Sequence, residues 1–187
     1  MLTGVEHGGT TLHSTKYHLF PADLRVPPTE SIAPLLTSPS QGSPILSPDL
    51  PTLLLFECVL VYLSPEISET LTQWFVDYFA STSILGATVY EMFGLNDSFG
   101  AVMVGNLKVP HPSAVHDRFA LTSRKSQVRG VSLPGAEPYP TFESLPQRFT
   151  RHDFTTSKAL TLREIRKTLI SREESQRWVL QPVGNLP

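Results

Sequence analysis

Hydrophobic residues along this chain follow two alternating patterns. Short apolar runs, rich in residues that favour β-structure, predict strands at 16–22, 52–57 and 83–90. Apolar residues spaced three and four apart predict helices at 65–80 and 99–107. Because strands that alternate with helices form right-handed crossover units, this order predicts an α/β fold with a mostly parallel sheet.

Other segments carry weaker or more local signals. Ser64 provides an N-cap oxygen before Pro65 and Glu66, which marks the start of the first long helix. Thr161 is predicted to cap a further helix, and residues 109–128 have no clear period and are interpreted as an inserted loop. The remaining predictions are an amphipathic segment at 30–36, a helix at 143–152 and a strand at 154–160.

Each of the first three predicted strands is followed by, or ends in, an acidic residue: Asp23, Glu57 and Glu91. Leaving a charge in apolar surroundings costs several kcal/mol, so the Glu57 carboxylate is expected to face a cleft. Ligands bind at the carboxyl edge of parallel sheets, and we therefore expect Asp23 and Glu57 to contribute to one binding site. The alternative is that either acid caps the following turn or faces solvent.

Composition limits the classes of function. The chain has 187 residues, of which 40% are hydrophobic and 17% charged, which is typical of one globular domain. A net charge of -2 provides no basic field for nucleic acid or an anionic membrane. The longest apolar run, 53–63, is interrupted by Glu57 and is shorter than the roughly 20 residues of a membrane span. With one cysteine and no secretory signal, a cytoplasmic location is expected.

The chain also contains a possible cysteine nucleophile and possible histidine metal ligands. Cys58 would need a neighbouring base to act as a nucleophile, so a buried structural thiol is the favoured interpretation. His111 and His116 have a poor spacing for metal ligation, and the chain has no CxxC or HExxH motif, so no metal is expected. The first sixty residues also lack a Gly-rich phosphate-binding turn after a strand.

Four sequence segments together resemble the leucine carboxyl methyltransferase family. They are ADLR at 22–25, LPTLLLFECVLVYLSPE at 50–66, YEMFGLNDSFGAVMVGNL at 90–107 and TRHDFTTSKALTLREI at 150–165. The resemblance implies a class I S-adenosylmethionine-dependent methyltransferase domain, a Rossmann-like doubly wound sheet, over residues 16–177. This domain is expected to be incomplete at the N-terminus and C-terminus, because the family's Gly-rich turn precedes the matched part. Residues 1–15 and 178–187 are left as unassigned tails.

The resemblance also implies a reaction. The family uses S-adenosyl-L-methionine to esterify the C-terminal leucine carboxylate of the protein phosphatase 2A catalytic subunit. A terminal carboxyl group has a pKa of about 3.3–3.7 and is already ionised at neutral pH, so no catalytic residue is assigned. The resemblance places Asp23 and Leu24 at the adenine end of the cofactor and Glu57 in the cofactor pocket. Candidates for the substrate side are Tyr62, Tyr90 and Glu91. Asp153 stands where the family often has glycine, in a turn that Asp tolerates.

The expected partner is the C-terminal tail of the phosphatase catalytic subunit. The protein is expected to be a monomer and to bind neither nucleic acid nor a membrane. One alternative is a related carboxyl methyltransferase that acts on a modified transfer RNA base. Another is a catalytically inert binding module. Because part of the cofactor cradle precedes the matched segments, little turnover is expected from the 187 residues alone.

Overall fold

Two β-sheets and seven α-helices make up the part of the chain that the computed structural model describes. The described residues are 2–6, 10–14, 16–37, 45–79, 84–108 and 131–179. The mixture of helices with a small parallel sheet agrees with the predicted α/β class. The predicted insertion at 109–128 and the tail beyond residue 179 lie outside the described residues.

The parallel sheet is built from two strands joined by one long helix. Strand β4 (Thr52–Glu57) pairs with strand β5 (Leu85–Tyr90), in a register that runs from Thr52 opposite Leu85 to Glu57 opposite Tyr90. Helix α3 (Pro65–Phe79) connects them, and the Ser64 hydroxyl oxygen accepts a hydrogen bond from the Ile67 N–H at 3.4 Å. The predicted strands and the predicted N-cap of this unit are therefore confirmed.

One face of the parallel unit carries the hydrophobic core. Leu71 and Phe79 of α3 are each only 1% exposed, because the three- and four-residue spacing places apolar side chains on the face toward the sheet. The main cluster consists of Ile32, Phe56, Leu60, Leu63 and Leu71. Ile32 joins it from the connection between α1 (Pro28–Ser31) and α2 (Ala33–Thr37), which confirms the amphipathic segment predicted at 30–36.

The opposite face of β4 is not covered by the described residues. Leu53 is 68% exposed and Leu55 is 69% exposed, whereas Phe56 is 7% exposed. Successive side chains of a strand point to opposite faces, so the exposed leucines lie on the face away from α3.

The N-terminal residues form a separate antiparallel sheet, contrary to the predicted arrangement. Its strands are β1 (Leu2–Glu6), β2 (Thr11–Ser14) and β3 (His18–Leu19), in that spatial order. The prediction that a strand at 16–22 belongs to the parallel sheet is wrong, because its extended part covers only two residues and pairs with β2. Most of the predicted 1–15 tail is β-structure.

A tight turn explains the antiparallel pairing. The Ser14 hydroxyl oxygen accepts hydrogen bonds from the N–H of Tyr17 at 2.8 Å and of Lys16 at 3.2 Å, and the Ser14 N–H donates to the Tyr17 carbonyl at 2.8 Å. Closing this short loop costs less conformational entropy than the long connection to a parallel neighbour. The local hairpin therefore forms instead of the predicted crossover.

The C-terminal part begins with helix α4 (Ser98–Lys108), which confirms the predicted helix at 99–107. Helix α5 (Gln147–Thr150) is much shorter than the predicted helix at 143–152. The predicted strand at 154–160 is wrong, since none of these residues pairs with another strand in the described part of the chain.

Two short helices complete the described chain. Thr161 caps α6 (Leu162–Thr168) as predicted: its Oγ1 accepts from the Glu164 N–H at 3.2 Å, and the Glu164 carboxylate accepts from the Thr161 N–H at 2.7 Å. Helix α7 (Arg172–Val179) was not predicted. Asp153 has a φ of 62°, in the left-handed region that favours glycine, as expected for that turn.

Candidate functional site

The carboxyl ends of β4 and β5 bring three candidate residues to one edge of the parallel sheet. Glu57 lies opposite Tyr90 in the strand register, and Glu91 follows Tyr90 directly. The Cys58 N–H donates to the Tyr90 carbonyl at 2.8 Å, which extends the strand pairing one residue beyond Glu57. The prediction that Glu57 and Glu91 follow the ends of neighbouring parallel strands is confirmed.

Glu57 presents a free carboxylate at this edge. Its side chain is exposed, and no hydrogen bond or ion pair involves that carboxylate among the residues described above. Cys58 follows with a φ of 51°, a left-handed conformation that costs a non-glycine residue roughly 1–2 kcal/mol and turns the chain sharply. The Cys58 side chain is half-buried, so the predicted buried thiol is partly shielded from solvent.

A short 3-10 helix positions Tyr62 after this turn. The helix covers Leu60–Tyr62, and both Leu60 and Val61 are 0% exposed. These two buried side chains hold the segment against the core, whereas Tyr62 is 45% exposed and Tyr90 is 47% exposed. Each of the two strand ends is therefore accompanied by a tyrosine that solvent can reach.

Glu91 differs from Glu57 because a buried arginine binds it. The Arg148 Nη1 donates to Glu91 Oε2 at 2.5 Å, and the two side chains are only 6% and 7% exposed. The Arg148 Nη2 donates to the Gly135 carbonyl, and the guanidinium lies 4.7 Å from the centre of the Tyr139 ring. Arg148 was not predicted as a site residue, because nothing in the local sequence distinguishes it from a solvated arginine. Its partner Glu91 lies 57 residues earlier in the chain.

This ion pair is incompletely satisfied. Glu91 Oε1 and Arg148 Nε are buried and have no hydrogen-bond partner among the described residues. An unsatisfied buried polar atom costs roughly 1–3 kcal/mol, and more when the group is charged. The pair connects the end of β5 to the 134–151 region, and Gly135 is required there because a Cβ would collide with the Leu60 carbonyl oxygen.

Asp23 lies in a different local setting from the one predicted. It follows β3 of the antiparallel sheet, so it does not share a sheet edge with Glu57. The Arg25 Nη2 donates to Asp23 Oδ2 at 2.7 Å, and the Arg25 Nε and N–H donate to Asp23 Oδ1. These hydrogen bonds to Arg25 lower the pKa of Asp23 to about 2, so its exposed carboxylate is ionised at neutral pH.

Leu24 connects this segment to the core beside β4. Its half-buried side chain packs against the cluster that contains Phe56 and Leu60, the residues on either side of the Glu57–Val59 turn. Its backbone N–H and C=O form no hydrogen bond within the described residues. Hydrophobic packing, not strand pairing, therefore connects Asp23 and Leu24 to the end of β4.

A large cavity lies along β5 on the side of Glu91. Its volume is about 1320 Å³, and its lining includes Glu91 and Arg148 together with phenylalanine side chains at 93, 99, 142, 149 and 154. Apolar and aromatic walls with a small number of polar groups are typical of ligand-binding cavities.

The described part of the chain contains neither a metal-binding cluster nor a membrane-spanning helix. No group of three or more His, Cys, Asp or Glu side chains there is arranged to hold a metal ion. None of the helices described above is sufficiently long and apolar to cross a membrane.

Comparison with known proteins identifies relatives across most of the chain. A protein named leucine carboxyl methyltransferase 1 from Cryptococcus neoformans is 39% identical over 181 residues, which cover 92% of this chain and 44% of that protein. Proteins of the same name from Aspergillus fumigatus and Bos taurus are each 30% identical, over 83% and 84% of this chain. The match spans 37% of the length of the Aspergillus protein and 39% of the length of the Bos taurus protein.

The chain therefore spans roughly two fifths of the length of these curated relatives. A scan against protein-family models found no match.

Proposed function

Because the chain belongs to the leucine carboxyl methyltransferase family, we propose that it forms part of an enzyme that methylates the C-terminal leucine carboxylate of the protein phosphatase 2A catalytic subunit. The proposed methyl donor is S-adenosyl-L-methionine, and the proposed fold is the class I Rossmann-like methyltransferase sheet. The observation that carries the proposal is the 39% identity over 92% of the chain to a relative with this name. The parallel β4–β5 pair, with its candidate residues at the carboxyl edge, supports it.

Glu57 at this edge, together with Asp23 and Leu24 outside it, has the groups to bind such a donor. Glu57 is an exposed carboxylate without a partner in the described residues, and it can bind a positively charged group. The ionised Asp23 can accept a hydrogen bond from an adenine amino group, and the free Leu24 backbone can bind a ring nitrogen. When bound, S-adenosylmethionine supplies an electrophilic methyl group. We assign Glu57, Asp23 and Leu24 to donor binding.

The substrate side is assigned to Tyr62 and Tyr90, with Glu91 in a supporting position. Tyr62 and Tyr90 can orient a peptide carboxylate and exclude water from it, because both are about half exposed. Tyr90 lies opposite Glu57 in the strand register, and Tyr62 ends the short helix that follows β4. The Glu91 carboxylate is bound by Arg148, so its role is to hold the β5 end in position and not to contact the substrate directly. The terminal carboxylate of the substrate needs no base because it is already ionised at neutral pH.

A direct assay combines the 187-residue chain with labelled donor and the phosphatase catalytic subunit. A second protein carries this chain in place of the matched 181 residues of the Cryptococcus relative, so that the proposed site is tested within a full-length methyltransferase. We expect label on the terminal leucine with this chimera and none when that leucine is deleted. A folded chimera that labels transfer RNA, or that labels neither molecule, would contradict the proposal.

Matched variants of the chimera test the assigned residues. Glu57→Ala should weaken donor binding in calorimetry, whereas Glu69→Ala removes an exposed acid from α3 and should leave binding unchanged. Asp23→Asn should weaken donor binding less than Glu57→Ala, because Asn keeps one acceptor oxygen. Equal donor affinity for Glu57→Ala and Glu69→Ala would remove Glu57 from the site.

A further inference from the structure

Two histidines face each other across the N-terminal hairpin. His13 of β2 lies opposite His18 of β3, and their Nδ1 atoms are 3.0 Å apart. The ring centres are 5.2 Å apart and both side chains are half-buried. The pair is independent of the carboxyl edge of β4 and β5, since it belongs to the other sheet.

The close approach of two ring nitrogens limits their chemistry. A neutral imidazole carries a proton on one nitrogen and a lone pair on the other. At a 3.0 Å separation at most one proton can lie between the two Nδ1 atoms, so at least one of them presents its lone pair to the other ring. When both rings are protonated at Nε2, no proton lies between the two Nδ1 atoms and both lone pairs are available to a bound cation.

From this geometry we propose that His13 and His18 form a two-histidine site for a divalent transition metal, with Ni²⁺ or Cu²⁺ preferred to Zn²⁺. Imidazole nitrogens bind such metals at about 2.0–2.1 Å. With nitrogens 3.0 Å apart, a metal bound to both would have an angle between them of about 94°. This is close to the 90° of square-planar and octahedral sites and well below the roughly 109° of tetrahedral zinc.

Aromatic contacts hold the two rings in place. The Phe20 ring lies nearly parallel to His18, with an 8° angle between the planes, and meets His13 edge-on at 5.2 Å. Because no third protein ligand is found in the described residues, water would complete the coordination.

The test adds Ni²⁺, Cu²⁺ or Zn²⁺ to the 187-residue chain and follows the histidine ring signals by nitrogen-15 NMR. The His13 and His18 Nδ1 signals should change together, saturate at one metal per chain and return when a chelator is added. Cu²⁺ binds more tightly than both other metals at most nitrogen sites, so the informative comparison is between the affinities of Ni²⁺ and Zn²⁺. Tighter binding of Zn²⁺ than of Ni²⁺ would overturn the proposed geometry.

Three variants separate this site from other histidines. His13→Gln and His18→Gln should each abolish the response of the remaining ring at metal concentrations that saturate the unmodified chain. His116→Gln is the matched control and should leave the response intact. Circular dichroism verifies that each variant keeps its secondary structure. Unchanged affinity in either hairpin variant, or no response of these two rings in the unmodified chain, would overturn the proposal.

Discussion

The parallel unit of β4, α3 and β5 and the N-terminal antiparallel sheet are stabilised in different ways. The parallel unit buries Leu71 and Phe79 almost completely, and its strands are joined by a fifteen-residue helix. In β2 and β3, only Thr11 is buried, and the other residues are half-buried or exposed. Long-range packing therefore stabilises the first region, while local hydrogen bonds and ring contacts stabilise the second.

Two of the arginine–carboxylate pairs in the described residues show the same contrast. Arg148 and Glu91 are buried and far apart in sequence, whereas Arg25 and Asp23 are exposed and separated by one residue. Exposed pairs contribute little to stability because water screens them, but breaking a buried pair leaves an uncompensated charge. The comparison predicts that substitutions in the parallel unit and its contacts cost far more than equivalent ones near the N-terminus.

The largest effect is expected from Arg148→Met. This change leaves the buried Glu91 carboxylate without its cation and should lower the free energy of unfolding by about 3–5 kcal/mol in urea denaturation. The double variant Arg148→Met, Glu91→Leu should recover most of that loss, because it removes both charges. Arg25→Met is the exposed control and should change stability little. A loss in the double variant as large as in the single one would show that the charge is not the cause.

Leucine truncations compare the two regions directly. Leu71→Ala should cost about 2–5 kcal/mol because it creates a cavity in the main cluster. Leu12→Ala in the half-buried β2 should cost about 1 kcal/mol. Chemical denaturation of both variants gives the two values. Similar losses would mean that the N-terminal sheet shares the core of the parallel unit.

Two glycine substitutions are expected to change stability by smaller amounts and in opposite directions. Gly135→Ala forces a Cβ against the Leu60 carbonyl oxygen and should destabilise the protein by about 1–3 kcal/mol. Gly105→Ala, in α4, meets no atom within 4 Å and should stabilise the helix by about 0.5–1 kcal/mol. Thermal unfolding should therefore shift in opposite directions, and a common direction would contradict the contact at Gly135.

The smallest effect concerns the titration of Asp23. Its pKa is lowered from 3.8 to about 2, chiefly by the hydrogen bond from the Arg25 side chain. A lowered pKa contributes stability above the ordinary carboxyl pKa, and that contribution is lost as the pH falls from about 4 towards 2. Carboxyl carbon-13 NMR should detect this midpoint, and Arg25→Gln should raise it. An unchanged midpoint in that variant would assign the shift to another group.

Much of the parallel unit could be predicted from sequence because its signals are local. Apolar runs defined β4 and β5, helical spacing defined α3, and single residues such as Ser64 and Thr161 marked helix starts. The placement of Glu57, Tyr90 and Glu91 at one edge followed from the expectation of parallel pairing.

Other features depended on contacts between distant segments. Residues 154–160 have strand-like composition, yet they find no pairing partner in the described part of the chain. The 16–22 segment could pair with either sheet, and the short Ser14 turn decided the choice. No local pattern indicates that Arg148 contacts Glu91, because that contact exists only after the 134–151 region packs against the end of β5.

Local sequence patterns were therefore sufficient to predict the helices and strands of the parallel unit, its family and the residues at the ends of its strands. The sheet that each strand joins, and the carboxylate that is buried against an arginine, depend on contacts between distant segments. The reason is physical: hydrophobic spacing and capping act over a few residues, whereas strand pairing and burial depend on the relative free energies of contacts between segments far apart in the chain.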